Sequence, residues 1–157
     1  MHEKEREFIK EINIDKAIKK TNIGIFLIII SLLTYVLPTI LGDFDFGVFF
    51  EIASLVFLLI ARYCMKSYNE SASKKYIICS MFSIGWILVY DILLLMSYVE
   101  NVADLLQVSY IYYFGEIILI LYLRILFLIN TDLAKANGDD RYKESTDWFY
   151  EKYEEDK

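Results

Sequence analysis

Residues 76–97 read YIICSMFSIGWILVYDILLLMS, an apolar stretch interrupted by a single charged residue, Asp91. A helix needs about 20 such residues to cross the hydrocarbon core of a bilayer. Three more stretches of this kind occupy residues 23–41, 47–65 and 105–130. Their apolar residues run on continuously instead of alternating with polar ones, which favours helices over the strands of a membrane barrel. The sequence therefore predicts an all-α membrane protein, a bundle of four transmembrane helices.

Length and composition indicate one membrane domain with a polar segment at each end. The chain has 157 residues, of which 57% are hydrophobic and 17% aromatic, whereas soluble domains are about 45–50% apolar. We assign residues 1–22 to an N-terminal segment, residues 23–130 to the transmembrane domain and residues 131–157 to a C-terminal tail. The segment before the first apolar stretch is too long for a cleaved signal peptide, so we expect that stretch to remain in the mature protein.

The placement of Lys and Arg predicts the orientation of the helices. The N-terminal segment carries six of these residues, residues 62–75 carry four, and the chain after residue 130 carries five. The other two connections, residues 42–46 and 98–107, contain acidic residues and no Lys or Arg. Because basic segments stay on the cytoplasmic side, we predict two in-out-in hairpins in the cell membrane, with both termini cytoplasmic.

The two polar ends leave several interpretations open. Residues 3–20 can form an amphipathic helix, either lying in the membrane interface or solvated and leading into the first crossing. In the tail, we expect a short helix near residues 145–153. Its aromatic residues could dock a partner protein, fold back on the bundle or the membrane, or belong to a disordered segment; they are Trp148, Phe149, Tyr150 and Tyr153.

Three carboxylates lie within the apolar stretches, where a charge is costly and is by default a candidate functional residue. They are Glu51, Asp91 and Glu116, on the second, third and fourth helices. Counting about 1.5 Å of rise per residue from each helix centre puts all three in the outer half of the membrane. They could converge on a site that binds a cation or relays a proton. Alternatively, they join helices by hydrogen bonds or form an oligomer contact.

Supporting polar residues follow from the helical phase. On the third helix, one semi-polar stripe contains Tyr76, Ser80, Ser83, Ile87, Asp91, Leu94 and Tyr98. On the fourth helix, a looser stripe contains Ser109, Tyr112 or Tyr113, Glu116, Ile120 and Arg124. We therefore expect Ser83 and Arg124 to support the carboxylates, together with Tyr90 as a hydrogen-bonding partner. Gly85, Gly115, Ser80 and Ser83 are the small residues expected at close helix contacts, and we expect loose lateral packing elsewhere.

The residue types that carry most enzyme chemistry are scarce. The only histidine is His2, and the sequence contains no Cys and His ligand set, Gly-rich phosphate loop or nucleophile motif. We predict no catalytic residue, no metal site and no cofactor. A net charge of −6 without a basic stripe also predicts no nucleic-acid partner.

These features predict a small, non-enzymatic, multi-pass protein that acts as an accessory, regulatory or immunity-type subunit. Its partners would be the lipid bilayer and either a second copy of the chain or another membrane protein. The alternative is a small oligomeric channel or a cation- or proton-coupled transporter that uses Glu51, Asp91 and Glu116. A third class is a membrane-disrupting effector. Architecture alone does not choose among them.

Overall fold

The computed structural model describes residues 3–40, 46–98, 100 and 110–138, with side chains for all of these except 35–40, 98 and 110–112. Within this part of the chain the secondary structure is helical. The helices are α1, Glu3–Ile40; α2, Gly47–Lys66; α3, Glu70–Tyr98; and α4, Tyr110–Ala136. Each has a span long and apolar enough to cross a membrane. This confirms the prediction of an all-helical chain with four candidate membrane spans.

Three helices extend beyond the apolar stretches that predicted them. α1 runs without interruption from the polar N-terminal segment into the first apolar stretch. α3 begins six residues before residue 76, and α4 continues six residues beyond residue 130. The added turns contain good helix formers such as Glu, Lys and Ala, and packing against neighbouring helices stabilises an amphipathic turn that would be marginal alone. The length of an apolar stretch therefore predicts the part of the helix that crosses the membrane and underestimates the full length of the helix.

The buried positions of all four helices follow a seven-residue repeat. In α2 they are Gly47, Glu51, Ser54, Leu58, Ala61 and Met65. The same alternating spacing of three and four gives Ser73, Ile77, Ser80, Ile84, Ile87 and Asp91 in α3. In α1 it gives Ile14, Ala17, Thr21, Gly24, Ile28 and Ser31, and in α4 Gly115, Leu119, Tyr122, Leu126, Ile129, Leu133 and Ala136. A repeat of 3.5 residues keeps one seam facing the partner helices and is typical of left-handed knobs-into-holes packing.

The four seams meet in one core. α1 packs most extensively against α4, and α2 against α3; smaller interfaces join α3 to α4 and α1 to α2. Each helix therefore has two principal neighbours around the bundle. Gly24 of α1 permits a close approach, because a Cβ atom placed there would lie 3.4 Å from Leu58, 3.5 Å from Ile125 and 3.6 Å from Tyr122.

Polar contacts join the helices at one end of the bundle. The Lys20 ammonium lies 2.5 Å from the Asp132 carboxylate, which joins α1 to α4. The Arg62 guanidinium donates from Nε to the side-chain oxygen of Asn22 at 2.8 Å, which joins α2 to α1. Lys10 pairs with Glu70 at 2.8 Å, which joins α1 to the start of α3. Lys10 and Lys20 of the N-terminal segment thus take part in holding the bundle together.

A short connection turns the chain from α2 into α3. The backbone N–H of Ser67 donates to the carbonyls of Tyr63 and Cys64, and Tyr68 has a left-handed φ of 55° that ends the helix. The side-chain oxygen of Asn69 then accepts from the N–H of Ala72 at 3.2 Å, an N-cap for α3. Because the connection is this short, α2 and α3 run in opposite directions side by side.

Candidate functional site: a central polar cluster

The inward face of α2 carries two polar side chains one turn apart. Glu51 and Ser54 both have 0% exposure. They belong to the seven-residue repeat of α2, so the knobs-into-holes packing that buries Leu58 also points these two side chains into the core. Burying a polar group in this way costs free energy unless it finds a hydrogen-bond partner, which directs attention to the groups around them.

Ser54 meets one hydroxyl from each of two other helices. Its Oγ lies 2.5 Å from Oγ of Ser80 on α3 and 2.9 Å from the hydroxyl of Tyr122 on α4. Oγ of Ser80 and the Tyr122 hydroxyl are 3.1 Å apart. Ser80 and Tyr122 are also fully buried. Three helices therefore meet at one triangle of hydroxyl groups, and interhelical bonds of this type stabilise helix association in membranes.

Glu51 adds the fourth helix to this group. Oγ of Ser31 on α1 donates to a Glu51 carboxylate oxygen at 2.9 Å, and Ser31 has 0% exposure. Glu51 lies one turn before Ser54 on the same buried face of α2. We call Ser31, Glu51, Ser54, Ser80 and Tyr122 the central polar cluster. It contains one carboxylate and four hydroxyls, contributed by all four helices.

The other two predicted carboxylates lie at different depths and degrees of burial. Asp91 is 3% exposed, whereas Glu116 is half-buried. Ser54 contacts Ser80 across antiparallel helices and defines a common level. Glu51 is three residues from Ser54 and Asp91 is eleven residues from Ser80, both toward the same end of the bundle, so they lie about 4.5 Å and about 16.5 Å from that level. Glu51 and Asp91 are therefore separated by about 12 Å along the bundle axis. Counting from the helix centres puts the carboxylates at similar depths, whereas the register set by the contacts between helices separates them along the bundle axis.

The three predicted supporting residues lie away from the cluster. The hydroxyl of Ser83 donates to the Cys79 carbonyl of its own helix at 3.1 Å. Tyr90 is 47% exposed, and Arg124 is exposed as well. On the predicted stripe of α4, Ile120 is 56% exposed. The inward face of α4 is therefore rotated away from the predicted stripe.

Sequence reasoning missed Ser31, Ser54 and Tyr122. The signal that could have found them is the seven-residue spacing of small residues, which lets helices approach closely in a membrane. It is present as Ala17, Gly24 and Ser31 in α1 and as Gly47, Ser54 and Ala61 in α2. Gly115 also lies on the inward face, seven residues before Tyr122. Gly85, by contrast, does not lie at a close contact, because a Cβ there would meet nothing within 4 Å.

The predicted partner-binding tail lies outside the described residues. This concerns Trp148, Phe149, Tyr150 and Tyr153, and the short helix expected around them. The first residues assigned to the tail, 131–136, form the last turns of α4, where Asp132 and Leu133 are buried.

Comparison with known proteins gives no match: no protein-family model, no curated protein and no solved structure is significantly similar to this chain.

Proposed function

We propose that the protein is a multi-pass protein of the cell membrane with both termini in the cytoplasm and two short acidic connections outside. The charge distribution supports this orientation. The contacts between α1 and α2 support the alternation of direction, because Thr21 contacts Met65 whereas Ser31 contacts Glu51. Cysteines introduced at Ser71 and at Asn101, in a Cys64→Ser, Cys79→Ser background, test it. An impermeant thiol reagent should label position 101 from outside in intact cells and position 71 after lysis; the reverse pattern would contradict the proposal.

Within that membrane, we propose a non-enzymatic role as an accessory, regulatory or immunity-type subunit that acts through partners or self-association. The observation that carries this proposal is the division of side chains in the bundle. The polar side chains at inward positions bond to one another within an otherwise apolar core, whereas many further large apolar side chains face outward. On α3 the outward set includes Phe82, Trp86, Leu93 and Met96, which are 61–76% exposed. Because the inward polar groups hydrogen-bond to one another, the bundle contacts other molecules mainly through these outward apolar side chains, which we call the perimeter.

An apolar groove on that perimeter supports lateral association. It lies between α3 and α4, has a volume of about 500 Å³ and is open at Gly85. Its walls are Ile78, Met81, Phe82, Trp86, Val89, Leu123 and Phe127. Energy transfer between labelled copies in vesicles, measured across a range of protein-to-lipid ratios, tests self-association. Trp86→Ala should lower the transfer, whereas Phe26→Ala, which removes an equally exposed aromatic ring from α1, should not.

A partner protein is the other route, and the tail is its predicted binding segment. A chain ending before Ser145 should lose a partner that the full chain captures from membranes by cross-linking, while keeping its thermal stability. If the full chain neither self-associates nor captures a partner through the tail, the accessory role is wrong.

The burial of Glu51 and Asp91 favours a second candidate, a channel or a cation- or proton-coupled transporter. Proteoliposomes made with the wild type and with an Asp91→Asn, Glu116→Gln double variant of matched folding test this function. Flux of protons or cations that the double variant loses would place transport first. Absence of flux in the wild type, across pH and several cations, would exclude the candidate.

A further inference from the structure

The apolar groove between α3 and α4 has the length of one leaflet of a bilayer. Its α3 wall extends from Ile78 to Val89, a rise of about 16.5 Å. One leaflet contributes about 15 Å of hydrocarbon, half of the roughly 30 Å core. The wall begins two residues into the apolar stretch of α3, which starts at residue 76. With apolar side chains along its walls and a volume of about 500 Å³, the groove fits an acyl chain of the leaflet that surrounds the start of α3.

Two lysines lie at the end of the groove where α3 enters the membrane. Lys74 and Lys75 precede Ile78 by four and three residues, so both lie on the face of α3 that lines the groove. Side chains on a helix lean toward its N-terminus, which directs both ammonium groups away from the apolar walls and toward the membrane surface. Lys75 is exposed and Lys74 is half-buried. The groove therefore ends in two positive charges near the level of the lipid phosphates.

These two charges are not neutralised by the bundle. Neither Lys74 nor Lys75 forms an ion pair with the residues that the structure describes. The acidic side chains at this end of α3 and α4 have other partners, since Glu70 pairs with Lys10 at 2.8 Å and Asp132 pairs with a second lysine of α1. Basic pockets between transmembrane helices on the cytoplasmic side bind anionic lipid headgroups. Positive charge beside an apolar groove complements a phosphate joined to an acyl chain.

We propose that this groove binds one anionic phospholipid of the inner leaflet. The phosphate contacts Lys74 and Lys75, and one acyl chain runs along α3 past Gly85, where a Cβ atom would meet nothing within 4 Å. An anionic lipid is specified because the headgroup of a zwitterionic lipid brings a positive charge of its own to the two lysines. The site deepens the proposed function by naming a lipid partner for the perimeter, and the choice of leaflet rests on the orientation proposed above.

The fluorescence of Trp86 reports on the groove directly, because this side chain forms part of its wall and is 63% exposed. The chain has two tryptophans, so Trp148→Phe leaves Trp86 as the only indole. The full-length variant is placed in phosphatidylcholine vesicles at a low protein-to-lipid ratio, which keeps copies apart. Phosphatidylglycerol with brominated acyl chains then replaces an increasing fraction of the lipid, and brominated phosphatidylcholine with the same chains measures unselective contact.

We expect brominated phosphatidylglycerol to reach half-maximal quenching at a mole fraction at least about tenfold lower than brominated phosphatidylcholine. The reason is that each lysine near an anionic headgroup strengthens binding about fivefold. Lys74→Gln, Lys75→Gln should remove this preference and leave quenching by brominated phosphatidylcholine unchanged. Lys16→Gln, Lys19→Gln is the matched control, because it removes two exposed lysines from α1 and the same net charge. Gly85→Leu keeps all four lysines but fills the groove, and it should weaken the preference as well.

Three results would overturn the proposal. They are equal quenching by the two brominated lipids, an equal loss of preference in the α1 control, and weak quenching by both lipids that rises as the protein is diluted, which would show that a second copy covers the groove. Should the Lys74, Lys75 double variant fail to fold, Lys75→Gln alone must still weaken the preference about fivefold. Energy transfer between copies measures self-association separately, so selective quenching without transfer would support the lipid site and contradict only association through this groove.

Discussion

Replacing Tyr122 with Phe removes one oxygen atom from the centre of the bundle and leaves the packing almost unchanged. The ring keeps its contact with α1 near Gly24, so the change opens no cavity of note. The hydroxyl makes two contacts between helices, at 2.9 Å to Ser54 and 3.1 Å to Ser80. Interhelical hydrogen bonds in a membrane protein average about 0.6 kcal/mol, with a maximum near 1.7.

Two such bonds predict that Tyr122→Phe lowers the free energy of unfolding by about 1.2 kcal/mol. The serines remain bonded to each other, so no donor is left unsatisfied and the larger penalty for a stranded polar group does not apply. Equilibrium unfolding in mixed micelles, with the fraction of denaturing detergent as the variable, gives this quantity. Tyr90→Phe is the matched control, because the Tyr90 side chain is 47% exposed and surface changes stay within about 0.5 kcal/mol.

A double-mutant cycle separates the hydrogen bonds from other effects of the substitution. Tyr122→Phe and Ser80→Ala should show a coupling energy of at least about 0.5 kcal/mol, as expected for residues in one network. A loss in Tyr122→Phe no larger than that in Tyr90→Phe, or a coupling near zero, would show that the cluster does not join these helices.

Two further predictions concern the packing of α1. Asp132→Asn should lower the free energy of unfolding by about 1–2 kcal/mol, between the values for exposed and fully buried ion pairs, because Asp132 is 4% exposed and Lys20 is only partly buried. The exchange Lys20→Asp, Asp132→Lys should recover part of this loss. An unchanged free energy of unfolding in Asp132→Asn would argue against the ion pair. Gly24→Leu should cost about 1–3 kcal/mol by overfilling the contact with α2 and α4, whereas Gly85→Leu, which points into open space, should fold as the wild type does. Equal effects of the two leucines in the same unfolding assay would mean that α1 does not approach the bundle closely at Gly24.

The number of helices and their apolar spans could be predicted because hydrophobic length is a direct requirement of the bilayer. Helix ends outside the apolar stretches could not, since turns such as Glu70–Lys75 form where a neighbouring helix packs against them. The helical phase of α4 could not be predicted either. The charged residues Glu116 and Arg124 predict one inward stripe on α4, but the face that packs is the seven-residue repeat that includes Gly115, Leu119 and Tyr122.

The candidate site shows the same limit. Glu51 can be predicted as a candidate because a carboxylate is rare in an apolar stretch. Ser54 and Tyr122 are ordinary residues whose role depends on which side of the helix meets the other helices. The three hydroxyl residues are separated by 26, 42 and 68 positions in the sequence, and only packing between helices brings them together. A single sequence carries little information on which residues of different helices meet.

The unbroken length of α1 connects the polar N-terminal segment to the centre of the bundle through one continuous helix. Its 38 residues extend for about 57 Å, and its pivot is set by the attachments of Lys20 and Asn22 to α4 and α2. A tilt of about 10° around that point would move the N-terminal end by about 5 Å and displace Ser31 by about 3 Å in the opposite sense. That displacement is enough to separate Ser31 from the carboxylate it holds at 2.9 Å. A rigid tilt of α1 started at its polar end would therefore be felt at the central polar cluster.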